Sequence, residues 1–215
     1  MRQELIDLFP ELSDLQLNQY EKLLEIFPVW NDKVNCVSRK DISNLFVNHV
    51  LHSLSIAMFF RFPPNSRVAD VGTGGGFPGI PLAIMFPEIK FDLIDSIGKK
   101  VNVVSNIANE LGLTNITAIK SRAELLPCHY DFVVSRAVTA FPSFVQIVRG
   151  MILGENSDGK QGILYLKGGD FDDELKGFSN YSIYNIRERL DYEYFDTKKI
   201  IYLPISKKKL KKVFD

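Results

Sequence analysis

The 215-residue chain reads as an α/β protein: a mostly parallel, doubly wound sheet with an antiparallel strand pair near the C-terminus, preceded by a helical extension. Three observations predict this. Val68 to Val71 is a short apolar run that leads into glycines at 72, 74, 75, 76 and 79 and then into a second run, Ile80 to Phe86. That is the pattern of a buried parallel strand turning through a glycine loop into a helix. Another β-type run starts at Lys90 and ends at Asp95, nineteen residues after Gly76, and more follow near 116–120, 131–135 and 161–167. Before residue 63, by contrast, apolar side chains recur every three or four positions, the period of an amphipathic helix.

Taken in order, the extension opens on Ser13-Asp14-Leu15-Gln16, a capping box in which hydroxyl and amide each satisfy a free N–H. Leu17, Tyr20, Leu24 and Phe27 then share one helix face, and Pro28 is expected to kink or end that helix. A second helix is expected from about Asp41 to Phe60, with Leu45, Phe46, Val50, Leu54 and Ala57 on one side. The prolines and polar residues of Arg61 to Ser66 form a linker, so the predicted units are 1–62, helical, and 63–215, α/β. Gly112 suits a helix C-terminus. Beyond Gly169 come a short helix and two alternating runs, Tyr181 to Arg189 and Lys199 to Ile205, which read as an antiparallel pair.

Composition narrows the function classes. A hydrophobic fraction of 46% with 24% charged residues is that of a soluble globular domain, and no apolar run reaches the length of a membrane span. The start, Met-Arg-Gln-Glu-Leu, is not a secretory leader. Cys36 and Cys128 have no metal-type spacing and read as reduced thiols of a cytoplasmic protein. With 26 basic and 26 acidic residues the net charge is zero, so any nucleic-acid binding must come from a local patch.

The glycine loop carries the chemistry. Glycines remove the Cβ atoms that keep a ligand off the backbone, and the next helix aims its free N–H groups back at the loop. A strand, a glycine loop, a helix and a second strand ending in a carboxylate form a nucleoside-binding half-sheet, with Asp95 suited to two ribose hydroxyls. Two ligands compete. Gly74-x-Gly76-x-x-Gly79 fits a dinucleotide, whereas Asp70-x-Gly72-x-Gly74-x-Gly76 has the spacing of S-adenosylmethionine-dependent methyltransferases. An acid just before the loop suits a cationic donor better than a pyrophosphate. There is also only one such loop in the chain, which favours the methyl donor.

Methyl transfer is a one-step in-line displacement, so an enzyme for it mainly supplies proximity and alignment. Neither cysteine sits after the fourth or fifth strand, where a nucleophile for pyrimidine C5 would stand. Val133 to Ala137 likewise lacks the proline-aromatic motif of amino-group methylation. A ring nitrogen with a free lone pair, such as guanine N7, needs neither device and no metal.

Several segments together resemble the bacterial small-subunit ribosomal RNA guanine-N7 methyltransferase family, RsmG or GidB. They are Trp30-Asn31-Asp32-Lys33, Ser38-Arg39-Lys40-Asp41 and His49 to Ser53, then Asp70 to Pro81, Asp95-Ser96-Ile97-Gly98-Lys99-Lys100, Ser121 to Glu124, Ser135-Arg136-Ala137 and Leu166-Lys167-Gly168. The resemblance implies a class I, Rossmann-like methyltransferase fold with S-adenosylmethionine as cofactor and 16S ribosomal RNA or the small subunit as partner. It implies that Gly72, Gly74 and Phe77 line the methionine and ribose, that Asp95 takes the ribose hydroxyls, and that Ala123 and Glu124 border the adenine. Arg136 is expected beside the cofactor and the reactive face as the catalytic residue, and Lys99, Lys100, Arg122 and Lys167 in an RNA-facing patch. The chain departs from the family pattern at Asn35 to Ser38, at Asn48 and at His52. His49 and His52 read as packing or surface histidines, Trp30 as core, and the lysine run 207–212 as a solvated terminus. A monomer is expected. The competing function is a non-catalytic RNA-binding module that senses S-adenosylmethionine; a small dehydrogenase is a third.

Overall fold

A computed structural model describes residues 1–126, 130–152 and 161–205, so Cys128 and the lysine run 207–212 lie outside the described residues. The extension begins with α1 (Arg2–Leu8) and α2 (Asp14–Val34). Ser13 caps α2 as predicted: Gln16 N donates to its Oγ at 3.3 Å, and Ser13 N donates to Gln16 Oε1 at 3.0 Å. The helix does not stop at Pro28; it runs to Val34 and closes with Asn35 in the left-handed region, φ 53°. Proline removes one N–H from the ladder, but contacts on both sides hold the helix. Phe27 is fully buried with its ring 5.0 Å from that of Phe77. Asn31 accepts from Val37 N at 2.8 Å and donates to Val37 O at 2.9 Å.

The second expected helix is instead three pieces: α3 (Arg39–Ile42), a π-helical turn at Phe46–Leu51, and α4 (His52–Phe59). π turns are wider than α turns and recur at functional sites. Here the turn leaves the Asn48 carbonyl to accept from side chains of distant segments.

Strands β1 (Arg67–Val71), β2 (Lys90–Asp95), β3 (Ile116–Lys120), β4 (Phe132–Arg136), β5 (Gly162–Gly168), β6 (Ser182–Asn185) and β7 (Lys198–Pro204) form one sheet, ordered β3-β2-β1-β4-β5-β7-β6. Every pairing is parallel except the two made by β7, with β5 and with β6. The antiparallel pair predicted from the C-terminal runs is therefore present, and β7 is the one reversed strand. The chain winds outward in both directions from β1 and β4, which lie side by side. At such a switch point the connections leave in opposite directions and open a crevice beyond the carboxyl ends of the strands.

Helices α5 (Gly79–Met85), α6 (Gly98–Glu110) and α7 (Phe141–Val148) follow β1, β2 and β4. Gly112, at φ +68°, sits just past the end of α6. Alternation along the strands divides the core in two. On one face Phe91, Leu93, Phe132 and Val134 pack with α5, α6 and the extension's Leu17, Tyr20, Leu23 and Phe27. On the other, Ala69, Val71, Val133 and Tyr165 pack with Phe141, Phe144 and Val148 of α7. The extension and the sheet thus share one core, and each fully buried Leu or Phe in it contributes about 1.5–3 kcal/mol. Polar bonds fix the docking: Tyr20 Oη donates to Pro81 O at 2.8 Å, and Gln19 Nε2 to Leu111 O at 3.0 Å.

Candidate active site

The glycine loop is shaped by Asp70. The carboxylate is fully buried, and its Oδ2 accepts from Thr73 Oγ1 at 2.6 Å and from Gly79 N at 2.8 Å. The first pulls the loop back over the end of β1; the second anchors the start of α5. Oδ1 has no hydrogen-bond partner. Burial pushes this carboxyl up to about 7, against the opposing pull of its two donors. The expectation that Asp70 offers its charge to a ligand therefore gives way: it faces the loop, not the crevice. Four of the loop glycines leave no room for a Cβ, at 72, 75, 76 and 79. A Cβ on Gly79 would lie 2.7 Å from both Asp70 Oδ2 and Leu93 Cγ, and one on Gly72, at φ +71°, would lie 2.4 Å from Val138 Cγ2.

A cavity of about 250 Å3 opens over β1, β2 and β3, lined by Gly72, Asp95, Arg122, Ala123, Glu124 and Val138 among others. The chain thus brings together four of the residues expected to hold a cofactor, at the carboxyl ends of consecutive strands. Asp95 is almost fully buried; its Oδ2 accepts from Gly74 N at 3.0 Å and its Oδ1 from Ile97 N at 2.8 Å. An ionised carboxylate has about four acceptor sites, so each oxygen keeps capacity for one hydroxyl. Gly74 enters through that backbone bond. Phe77, expected to line the methionine and ribose, is nearly buried and is not among the residues lining this cavity; its ring lies 5.1 Å from that of His49 and 5.7 Å from the Arg136 guanidinium.

Next to it lies a second cavity of about 460 Å3, with Val138 in the wall of both. Asp41, His49, His52, Arg136, Tyr165, Lys167, Tyr194 and Lys198 line it. Arg136 ends β4 and points back to the π turn. Its Nη1 donates to Asn48 O at 2.9 Å and lies 3.4 Å from His52 Nδ1, while Nη2 lies 2.6 Å from His49 Nδ1. Burial, then the guanidinium's charge, lowers His49 to about 3 and His52 well below the usual histidine range. Tyr165 fixes the segment after β4: its hydroxyl accepts from Val138 N and Thr139 N, both at 3.2 Å, and donates to Thr139 O at 2.7 Å. Those bonds hold Ala137 in the left-handed region, φ 55°.

The expected RNA-facing residues divide. Lys99 is exposed and Lys100 half-buried in the first turn of α6, where lysines oppose the helix dipole instead of complementing it. Arg122 is exposed on the rim of the smaller cavity. Lys167 lines the larger cavity, but its ammonium is bound to Glu174 at 2.7 Å. Lys198 faces the same cavity with its ammonium 5.0 Å from the Tyr194 ring centre and no carboxylate bound to it among the described residues. Sequence reasoning missed Lys198 and Tyr194, which sit in the C-terminal third with no motif around them. It read His49 and His52 as packing or surface histidines; both are buried and packed against aromatic rings, but what it did not see is their contact with Arg136. Their three-residue spacing put them on one face, but nothing in it pointed to Arg136, more than eighty residues away. Trp30 bridges to α6, donating to Glu110 Oε1 at 2.9 Å.

Comparison with solved structures gives the fold. A structure titled as MtNAS in complex with MTA and tNA matches with a TM-score of 0.57 at 13% identity, covering 89% of this chain and 70% of that one. The fibrillarin/Nop5p complex matches at 0.51 and 13%, covering 70% and 78%. Sequence relatives are far nearer. "Ribosomal RNA small subunit methyltransferase G" of Christiangramia forsetii is 52% identical over 93% of this chain and 95% of its own length. The proteins of that name from Flavobacterium johnsoniae and Bacteroides fragilis strain ATCC 25285 are 49% and 47% identical, each over 94% of this chain and 98% of their own. The family model described as rRNA small subunit methyltransferase G matches residues 16–201. With a class I, seven-stranded sheet and a match over most of its length, the chain belongs to the rRNA small subunit methyltransferase G family.

Proposed function

We propose that the protein transfers a methyl group from S-adenosylmethionine to N7 of a guanine in 16S ribosomal RNA, acting as a monomer in the cytoplasm. The observation that carries this reading is the meeting of two cavities at Val138, one ringed by nucleoside-type contacts and one by cationic and aromatic side chains. Relatives at about half identity are named for methylating small-subunit ribosomal RNA.

The residues present fit the cofactor. Gly72 leaves a cradle that a Cβ could not share with Val138, Asp95 retains an acceptor on each oxygen for the ribose, and Ala123 and Glu124 border the place of the adenine. Bound there, S-adenosylmethionine supplies an electrophilic methyl on a positively charged sulfur. With that donor held by Asp95 and the glycine loop, a guanine N7 lone pair presented in line would take the methyl, and the positive charge would pass from sulfur to purine. No proton leaves N7, so no side chain need serve as base. The protein's task is to hold both partners at contact distance and to keep water away.

Arg136 cannot assist by gripping N7, because a bidentate guanidinium on O6 and N7 would occupy the lone pair that must attack. A cation beside a base that becomes cationic is also unfavourable. Its role is to hold the nucleotide by a phosphate, with Lys198 beside it, while Lys99, Lys100 and Arg122 follow the backbone along the rim. The test is incubation with radiolabelled cofactor and small subunits lacking the modification. The proposal requires label at a guanine N7 with stoichiometric release of S-adenosylhomocysteine. Cofactor binding without turnover would favour a sensing module.

A further inference from the structure

Arg136 is an unusual cation in its partners. A buried or half-buried guanidinium commonly meets a carboxylate, yet the three groups holding this one are all neutral: the Asn48 carbonyl, His49 Nδ1 and His52 Nδ1. Guanidinium has five N–H donors and accepts nothing, so His49, at 2.6 Å, must present a bare Nδ1 and carry its proton on Nε2, and the longer His52 contact, at 3.4 Å, fits the same tautomer. Three N–H groups are committed and two remain for a ligand. The His52 ring packs edge-on against Tyr194 and Phe195, at centroid distances of 5.6 and 5.8 Å. Its Nε2 is buried without a hydrogen-bond partner, so an Nε2–H there is an unsatisfied donor that the Arg136 contact must offset. His49 rests on Phe77, which also lies under the guanidinium.

We propose that His49 and His52 are positioning residues for Arg136: as neutral Nε2–H tautomers on the π turn they fix the guanidinium while leaving its charge intact for an RNA phosphate. The alternative way of holding it, a carboxylate, would neutralise the charge that the acceptor cavity uses. An imidazolium would lose the lone pair and repel the guanidinium.

The charged and titratable groups facing the pair favour the neutral form on balance. His49 meets Arg136 of β4, which opposes protonation, and Asp41 of α3, which favours it. His52 meets Arg136, Lys198 of β7 and His49, all opposing, with the Tyr194 hydroxyl 3.4 Å from its Nδ1 and the Asn48 backbone bond favouring protonation. Tyr194, Asp70 and Asp41 act on Arg136 itself through their charges. Burial comes first for both histidines.

The inference rests on the proposed function only for what Arg136 holds, and its test has one arm free of activity. The chain has three histidines, so nitrogen-15 spectra of the full-length protein are tractable, with His49→Asn and His52→Asn assigning the signals. Both residues should show the Nε2–H tautomer from about pH 5.5 to 8, where an ordinary histidine titrates. An Nδ1–H tautomer or an imidazolium at either position overturns the proposal. In the second arm each histidine is replaced by Asn, Gln and Leu. The Asn carbonyl stands near the place of Nδ1, whereas the Gln carbonyl stands near that of Nε2. Gln and Leu should lower kcat/KM for the RNA roughly tenfold or more, with Asn within about threefold of wild type. Unchanged S-adenosylmethionine affinity in all six variants is part of the expectation. If Asn falls as far as Leu, the histidines serve packing and the proposal fails. If the wild type methylates nothing, it is the methyltransferase reading that fails, and the spectra still decide the tautomers.

Discussion

Replacing Asp95 by Asn tests the cofactor site at its most constrained point. Each carboxylate oxygen already holds one backbone N–H, of Gly74 and of Ile97. An amide can satisfy one of these but turns an NH2 toward the other. It also removes the negative charge from every hydroxyl bond the group would make. Charge-assisted bonds contribute about 1.5–3 kcal/mol, so Asp95→Asn should raise the Kd for S-adenosylmethionine by roughly 10- to 150-fold. Because the ribose is common to substrate and product, S-adenosylhomocysteine should lose affinity by the same factor. Titration calorimetry with both ligands measures this, with thermal unfolding of the free variant as the control for loop damage. A Kd within about twofold of wild type would refute the ribose assignment. A loss confined to the charged donor would mean that Asp95 answers to the sulfonium instead.

Three further predictions follow from the same geometry. Gly72→Ala should lower Tm and cofactor affinity together, since a left-handed alanine costs about 1–2 kcal/mol and its Cβ would press into Val138 at 2.4 Å; adding Val138→Ala should restore part of the loss, and a single variant with wild-type Tm would contradict the contact. Lys100→Ala and Lys198→Ala should each make the salt dependence of RNA binding shallower by about 0.7 in log–log slope, whereas Lys167→Ala should change it little because Glu174 already neutralises that ammonium. The reverse order in filter-binding titrations would rule this out. Asp70, raised to about 7 by burial, holds in the folded state a proton that the unfolded chain releases near pH 4. Its contribution is complete below about pH 4 and lost as pH rises through about 7. Denaturation midpoints of Asp70→Asn should therefore fall less steeply over that window than those of wild type, and equal slopes would count against a protonated Asp70.

The sheet was legible because parallel strands buried on both faces leave continuous apolar runs, and because each predicted strand ends near a residue that cannot be buried idly. The glycines and Asp95 mark the carboxyl ends of β1 and β2, and Gly112 marks the end of α6. The reversed C-terminal strand was legible from its alternation. Two features were not. Pro28 sits inside α2 because Phe27 and Asn31 on either side are pinned by residues far along the chain, which no local rule contains. The break of the second helix into a π turn has no signature of its own in Phe46 to Leu51; it is visible in the bonds it frees, above all the Asn48 carbonyl.

The same division runs through the site. Residues placed by backbone, or at the end of a strand, belong to motifs of fixed spacing: Gly72 and Asp95 were singled out from the glycine loop and the strand after it, Ala123 and Glu124 from the family resemblance, and all four line one cavity. Residues that act on other side chains across the fold carry no such spacing. Asp70 was visible as a charge, but its buried contacts with Thr73 and Gly79 turn it from ligand contact into loop anchor. His49 and His52 were visible as a pair, but their meaning depends on Arg136 arriving from the far end of β4. Val138 is the clearest case. As an exposed valine after a strand it carries no signal, yet it separates the two cavities and is the atom group that obliges residue 72 to be glycine. If the proposed nucleoside and base occupy those cavities, the methyl passes this side chain, and Val138→Ala should then change kcat for the RNA while leaving the fold intact; an unchanged kcat would count against the two-cavity arrangement.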